Sequence, residues 1–552
     1  MQVSKTEKLL IILFFVATWA VLAINAGAPI FSDEFLYIDA GLRSFAEPSY
    51  GNRYFHIYLQ KLFLELAPTP LQGVRIFWGF LIALTAALVY FNARTLFKKS
   101  SPLHGLLALA LFFSYPLITE YSGEPAVDIT AMFMVTLYIS VYLYALRNPD
   151  KKKLTAIVLG ALAFIAFKTK ETTIFVNFLL LGFVIGEQGG WDWKALKDVI
   201  KPILIGLAAG IGLFIVLDGL ILGKPFFAIS PATFAAVFKN YDFKQGFFFG
   251  PTSWYREYFL DDIMLPFLLF IASGIKLGSE TDARRRLLWV YPLLLAIFVS
   301  WNMLKVTFGF IERFYFPALP AIAMLAPQFL RITWPDSRKQ WLGFGALLIT
   351  AAGLIFILRS AMMAYSASLN FDFLRFLNSI FYPILLSILL ATIIWMKKYN
   401  WASSIIPLFC IAAMLLSPLL YTYKYFFRYP KIQERYDHLF YPFETFKGEL
   451  KFNNTNEILV SAALDRSLAM LSDDPNDITG MANFFFDQRI SRENVTIGYS
   501  RPGIQSALTK KRIDYALLSS EDWKSISDQS GIMAKYQAVT DPAGQIVLLM
   551  PR

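Results

Sequence analysis

The chain contains about thirteen separate apolar segments, each close to the length that crosses a membrane as a helix. A spanning helix needs roughly 20 predominantly apolar residues. A soluble protein would have to expose much of this apolar surface, which leads to aggregation. The composition agrees, since 56% of the 552 residues are hydrophobic and only 16% are charged. We therefore predict an α-helical polytopic membrane protein with spans near 8–26, 76–97, 103–119, 125–146, 154–167, 172–186, 202–222, 263–275, 287–304, 314–330, 341–358, 376–396 and 402–422. Segments 154–167 and 172–186 are short, and form either two spans or a re-entrant pair. Both alternatives leave the orientation of the later segments unchanged.

The positive charge is confined to the apolar part of the chain. Residues 1–423 hold 35 Lys and Arg against 24 Asp and Glu, whereas residues 424–552 hold 16 of each. The net charge of +11 therefore belongs to the membrane part, and 424–552 is predicted to be a soluble domain. With the N-terminus in the cytoplasm, the inner segments hold 21 basic and 8 acidic residues and the outer ones 14 and 16. This bias is the positive-inside signal of a membrane protein, not a nucleic-acid site, and it places the C-terminal domain outside.

The extracytoplasmic parts contain two long loops and the soluble domain. The first outer loop, about 27–75, contains two amphipathic segments, and in Phe55–Leu66 the apolar face is formed by Phe55, Tyr58, Leu59, Leu62, Phe63 and Leu66. The loop at 223–262 is rich in aromatic residues and is either an interfacial lid or an aromatic belt. The C-terminal domain is predicted to be a small α/β domain with strands at Glu457–Leu464, Asn494–Tyr499, Ile513–Ser519, Tyr536–Thr540 and Gln545–Met550.

Charged side chains beside the outer ends of the spans are the candidate functional residues. A charge at the edge of the hydrocarbon is energetically costly and is a functional candidate by default. Segments far apart in sequence bring several to the same predicted side, and this convergence favours a binding or reaction site at the outer membrane boundary. A metal centre is not favoured, because the chain has 1 Cys and 3 His, although carboxylates would suit Mg²⁺ or Mn²⁺. The charged candidates are Asp33, Glu34, Glu124, Asp128, Lys168, Lys170, Lys305 and Arg313.

Five sequence blocks in this region resemble, in order, motifs of GT-C superfamily glycosyltransferases. The closest group is protein O-mannosyltransferase-like and includes the bacterial lipid A aminoarabinose transferases. The sequence departs from it in lacking Pro-Pro after His56 and the Arg that often precedes the second acidic residue. The matching blocks are Phe31–Tyr37 with its Asp-Glu pair, Arg53–Leu59, Glu124–Asp128, Phe167–Thr172 with Thr-Lys-Glu, and Glu312–Pro320 with its Arg-Phe-Tyr and two prolines.

The resemblance implies an inverting transferase that uses a sugar linked through phosphate to a polyprenyl lipid. The acceptor would be a lipid, a glycan or a protein, and the site would face the periplasm from a bacterial inner membrane. Asp33 would act as the base, with Glu34 as the fallback, and Asp128 or Glu124 would orient the sugar or the acceptor. The phosphate and sugar would be bound by Lys168, Lys170, Lys305, Arg313, Tyr315, Arg53 and His56. His56 alone is more typical of packing than of chemistry.

Two other functions remain open on the residues alone. A transporter or flippase for a lipid-linked anion would also need intramembrane Lys and Arg, but is typically built from internal repeats with charges at the midplane. A ligase or polymerase of lipid-linked glycans would differ only in transferring a chain instead of a single sugar.

Overall fold

The computed structural model describes the chain in separate stretches, which cover most of residues 5–329 and just under half of residues 424–552. The described residues are 5–25, 37, 38, 40–42, 44, 52–68, 70–96, 102–114, 118, 127–187, 189–239, 270, 273, 282–302, 316–329, 446, 449, 456–461, 495–498, 500–510, 512–528, 530–542 and 544–552.

The described stretches of the membrane part consist mostly of helices, with short turns between them. Its α-helices are α1 (Lys5–Asn25), α2 (Tyr54–Leu66), α3 (Pro70–Thr95), α4 (Pro102–Ser114), α5 (Val127–Arg147), α6 (Lys152–Phe167), α7 (Trp193–Leu217), α8 (Pro231–Lys239), α9 (Ala283–Asn302) and α10 (Leu319–Leu325). The tighter 3₁₀ segments are Pro149–Lys151, Glu171–Phe183, Phe227–Ile229 and Ala326–Phe329, and a π-turn at Asp218–Leu222 extends α7.

Within the described residues, four helical stretches are long and apolar enough to cross a membrane: Lys5–Ala23, Gln72–Thr95, Val127–Arg147 and Trp193–Leu222. Shorter apolar helices lie at Pro102–Phe113, Glu171–Phe183 and Phe316–Gln328. Most of the described residues in the predicted spans from 8–26 to 202–222, and in those at 287–304 and 314–330, are therefore helical. The spans at 341–358, 376–396 and 402–422, nearly all of 263–275, and the domain boundary at 423 lie outside the described residues.

The short pair of predicted spans forms an α-helix followed by a 3₁₀-helix. Helix α6 has 16 residues and the 3₁₀ segment Glu171–Phe183 has 13. A 3₁₀-helix rises about 2.0 Å per residue against 1.5 Å for an α-helix. The two elements are therefore about 24 and 26 Å long, so the wider rise compensates for the shorter sequence. Residues 168–170 form the reversal between them.

Helix α5 sets the distance between two differently charged ends of the bundle. Its 21 residues span about 32 Å, with Asp128 in the first turn and Arg147 in the last. Near the Arg147 end, the Tyr142 hydroxyl donates to the carbonyl oxygen of Arg284 at 2.7 Å. This basic end is the one that the charge bias predicts to be cytoplasmic.

Helix α2 exists as predicted, but its buried face differs from the predicted apolar face. Leu62 and Leu66 are exposed, whereas His56 and Gln60 are fully buried. His56 lies against Thr130 of α5 and the ring of Phe77 of α3. The buried side of α2 is thus set by the helices that pack on it and not by hydropathy alone.

The C-terminal part contains a five-stranded mixed sheet. Its strands are β1 (Ile458–Ser461), β2 (Val495–Gly498), β3 (Tyr515–Ser519), β4 (Tyr536–Thr540) and β5 (Ile546–Pro551), in the order β2-β1-β3-β5-β4. Strand β1 pairs in parallel with β2 and β3, and β5 pairs antiparallel with β3 and β4. Helices α11 (Arg501–Lys510), α12 (Ser520–Ile526) and α13 (Ser530–Lys535) complete the α/β arrangement. All five predicted strands are present.

Candidate functional site

The first turn of α5 and the reversal after α6 meet in a buried ion pair. The ammonium group of Lys170 contacts Oδ1 of Asp128, and these side chains are 2% and 0% exposed. Asp128 lies in the first turn of a helix whose other charged residue is Arg147 in the last turn, and Lys170 directly precedes the 3₁₀ segment. The Thr-Lys-Glu block thus returns towards α5 because the chain reverses at 168–170. Two of the predicted site residues, 42 positions apart, are brought together in this way.

A second ion pair joins this reversal to the start of α2. The guanidinium of Arg53 contacts both carboxylate oxygens of Glu171, with the Nη2–Oε1 bond at 3.1 Å. Such a fork of two parallel hydrogen bonds fixes orientation as well as distance. The Phe55 amide also donates to the carbonyl oxygen of Lys168 at 3.2 Å. The loop before α2 is therefore attached to the reversal by both side chains and backbone.

Lys168 is buried under aromatic rings at the end of α6. Its ammonium group donates to Oδ1 of Asn52 at 3.2 Å and lies 4.2 Å from the centre of the Phe234 ring. The ring centre of Phe167 is 5.7 Å away. Burial lowers the pKa of Lys168 to about 8, and the nearby carboxylate of Asp218 partly opposes this shift. Lys168 is thus a cation in a largely apolar setting, where its field is weakly screened.

His56 is a neutral polar group within the same cluster. Its Nδ1 is hydrogen-bonded to Oγ1 of Thr130 at 2.7 Å, and the Tyr37 ring meets the imidazole edge-on at a centroid distance of 5.6 Å. Burial, and to a lesser extent the charge of Arg53, lower the pKa of His56 to about 3. The imidazole is therefore uncharged at neutral pH, so it does not supply positive charge for an anion.

The carboxylate of Asp218 was not among the predicted site residues. It is fully buried and accepts hydrogen bonds from the Tyr58 hydroxyl at 2.6 Å and from the Ala228 amide at 2.7 Å. Asp218 could have been selected from the sequence, because it lies within the apolar run 202–222. A charge in such a run is energetically costly, which is the reason that Asp128 was selected.

The structure brings together those predicted residues that it describes. Arg53, His56, Asp128, Lys168 and Lys170 form one network of contacts around the start of α2 and the start of α5. Within this part of the chain, the cations Arg53, Lys168 and Lys170 are balanced by the carboxylates of Asp128, Glu171 and Asp218. The other predicted site residues, which lie outside the described residues, are Asp33, Glu34, Glu124, Lys305, Arg313 and Tyr315. No group of three His, Cys, Asp or Glu suited to a metal ion occurs in the described stretches.

Comparison with known proteins gives one family match and a fold shared along the whole chain. Residues 54–217, which include α2 and the Asp128–Lys170 pair, match the family model of dolichyl-phosphate-mannose-protein mannosyltransferases. No curated protein matches the sequence significantly.

The fold of the entire chain is similar to that of ArnT from Cupriavidus metallidurans. The ArnT crystal structure with bound undecaprenyl phosphate superimposes with a TM-score of 0.64 at 12% identity, over 99% of this chain and 98% of ArnT. The apo ArnT crystal structure gives 0.59 at 12% identity, over 98% and 97% of the two chains. The family match over residues 54–217 and the fold shared with ArnT agree with the resemblance found in the sequence motifs.

Proposed function

We propose that this protein is an inverting glycosyltransferase that moves a sugar from a polyprenyl-phosphate donor to an acceptor at the outer face of the membrane. The observation that carries the proposal is the network of Arg53, Asp128, Lys168 and Lys170. It gathers charges from distant segments at one end of the bundle. A polyprenyl-phosphate donor is supported by undecaprenyl phosphate bound to ArnT, whose fold this chain shares.

The proposed reaction needs one base and no general acid. A carboxylate removes the proton from the acceptor hydroxyl, whose oxygen attacks the anomeric carbon from the face opposite the phosphate. The bond from that carbon to the phosphate oxygen breaks, and its electron pair remains on the polyprenyl phosphate. Because the phosphate is already a good leaving group, it does not need to be protonated. We assign the base to Asp33, with Glu34 as the alternative.

The cations would stabilise the phosphate as its charge increases during bond cleavage. Lys170 is held rigidly by Asp128, and a cation fixed in advance loses no free energy to reorganisation during the reaction. Arg313 would bind the phosphate through two parallel hydrogen bonds, with Lys305 and Tyr315 beside it and with Arg53 and Lys168 contributing positive charge. Asp128 would then act by positioning Lys170, and Glu124 by orienting the sugar or the acceptor.

His56 has a different proposed role from the cations. As a neutral imidazole, it suits a hydrogen bond to a sugar hydroxyl better than a contact with phosphate. The mechanism requires no metal ion, because the protein's cations already act on a lipid monophosphate. The acceptor class, which is a lipid, a glycan or a protein, and the periplasmic location are parts of the same proposal.

The direct test is transfer of labelled sugar in membranes that contain the protein. Membranes are supplied with polyprenyl-phosphate sugars, and both free polyprenyl phosphate and labelled product are measured. We expect Asp33→Asn to abolish both at unchanged expression. Asp192→Asn serves as the matched control, because Asp192 is an exposed carboxylate that caps α7 through the Ala195 amide.

The alternatives give different products in this assay. A flippase would move the lipid-linked sugar to the other leaflet without releasing polyprenyl phosphate. A ligase would transfer a preassembled chain and leave single-sugar donors unused. Near-normal turnover of the Asp33→Asn variant would contradict the assignment of the base.

A further inference from the structure

Asp218 occupies the point at which three separate segments meet. It opens the π-turn at the end of α7, and its two carboxylate oxygens are bonded to different partners. One partner, the Tyr58 hydroxyl, belongs to α2, and the other, the Ala228 amide, belongs to the segment after α7. The Asp218 carbonyl oxygen also accepts from the Lys224 amide at 3.3 Å. The start of the aromatic segment 223–235 is therefore fastened to α2 by the hydrogen bonds of Asp218, in addition to the edge-on contact of the Tyr54 and Phe227 rings at a centroid distance of 5.2 Å.

The fastened segment adopts a backbone that needs such support. Phe226 has a φ of 73°, a left-handed conformation that is unfavourable for a bulky side chain and persists only where the surroundings enforce it. The Asp218–Ala228 bond closes two residues further on. This part of the predicted aromatic loop is thus held in place instead of lying freely on the membrane.

The same segment covers Lys168. Phe234 follows Ala228 by six residues, and its ring lies over the Lys168 ammonium at 4.2 Å. Lys168 also donates to Asn52, which lies two residues before α2. Since Asp218 joins α2 to 223–235, it fixes both sides of the space that holds Lys168. A buried cation held in this way acts on a neighbouring anion through a weakly screened field, without touching it.

We propose that Asp218 is a positioning residue for the donor phosphate. By binding Tyr58 and the Ala228 amide, it holds segment 223–235 against α2 and keeps Lys168 at a fixed distance from the lipid phosphate. The inference rests on the proposed function, because it assumes a polyprenyl-phosphate donor. Its hydrogen bonds, rather than its charge, carry the effect. Asparagine keeps an oxygen for the Ala228 amide and a polar group for Tyr58, so it should substitute for aspartate where alanine does not.

The test combines amide exchange with binding of undecaprenyl phosphate to the purified full-length chain. We expect Asp218→Ala to accelerate hydrogen–deuterium exchange at Ala228 at least tenfold and to weaken undecaprenyl phosphate binding at least tenfold. Asp218→Asn should remain within about threefold of the wild type in both measurements. Tyr58→Phe keeps the ring but loses one bond, and should weaken binding between three- and tenfold, which preserves the test if Asp218→Ala does not fold.

Asp192→Ala is the control, since this carboxylate caps the opposite end of α7. Unchanged exchange at Ala228 in the Asp218→Ala variant would overturn the proposal, and so would unchanged affinity for undecaprenyl phosphate. If the wild-type chain itself binds no undecaprenyl phosphate, both the proposed function and the proposed role of Asp218 in positioning the donor phosphate are wrong. The exchange measurement then still decides whether Asp218 fixes the segment.

Discussion

The buried pair of Asp128 and Lys170 gives the most quantitative prediction about stability. Both side chains are almost completely withdrawn from solvent, at 0% and 2% exposure. Removing one partner leaves the other charge buried and uncompensated, which costs about 3–5 kcal/mol in proteins. We therefore expect Lys170→Met and Asp128→Leu each to lower the free energy of unfolding by about that amount.

The double variant separates the interaction between Asp128 and Lys170 from the effect of removing either side chain alone. Two apolar residues of similar volume leave no buried charge, and such replacements are often neutral or stabilising. Asp128→Leu combined with Lys170→Met should therefore regain most of the loss, with a coupling free energy of at least about 2 kcal/mol. Activity should not return with stability, because the proposed phosphate contact is gone.

The assay is reversible unfolding of the purified protein in mixed micelles, followed by tryptophan fluorescence. Lys61 and Glu65 form the control pair on α2, with an Nζ–Oε1 distance of 2.6 Å and a Glu65 side chain that is 56% exposed. Glu65→Gln should change stability by less than about 1 kcal/mol. Losses of under 1 kcal/mol in both single variants of the buried pair, or strictly additive losses in the double variant, would refute the reasoning.

Three further predictions concern other contacts of the described chain. Gly206→Ala would place a Cβ onto the carbonyl oxygen of Ile157, so we expect the free energy of unfolding to fall by at least about 2 kcal/mol. At Gly212 a Cβ has open space, so Gly212→Ala should change the free energy of unfolding by less than about 1 kcal/mol. Unfolding titrations of the two variants test this difference. Because the pKa of Lys168 is lowered to about 8 in the folded state from an ordinary 10.5, the unfolded chain binds more protons between these values and stability should rise with pH there. Unfolding titrations at pH 7.5 and pH 10 should show this increase in stability for the wild type and not for the Lys168→Met variant. Arg53→Lys removes the fork to Glu171 and should cost about 1–3 kcal/mol, a loss that an unchanged unfolding midpoint would contradict.

Helices could be located from the sequence because the membrane leaves the backbone few choices. Every peptide group in the hydrocarbon must bond internally, so an apolar run such as 125–146 becomes a helix, observed at Val127–Arg147. The strands of the C-terminal part could be located from the sequence equally well. Strands β4 and β5 flank the turn Asp541–Gly544. Gly544 has a φ of 69°, a turn conformation that suits glycine.

The contacts within the site were harder to predict from the sequence than the helices and strands, because these contacts depend on packing between distant segments. The sequence placed Asp128 and Lys170 on the same side of the membrane, but their direct pairing requires the particular reversal at 168–170. The burial of His56 and Gln60 on α2 could not be read from hydropathy, because it depends on neighbouring helices such as α5, whose Thr130 provides a partner for His56 in the interior. Asp218 was missed although its position in an apolar run carried a signal.

The central claim is that the protein transfers sugar from a polyprenyl-phosphate donor. The most direct measurement is mass spectrometry of the lipids and glycans of cells that produce the wild-type protein, the Asp33→Asn variant or neither. We predict one glycosylated species, increased by the mass of a single sugar, that is present only with the wild type, accompanied by consumption of one polyprenyl-phosphate sugar. Identical lipid and glycan profiles in all three cell lines, or the same product with Asp33→Asn, would contradict the account.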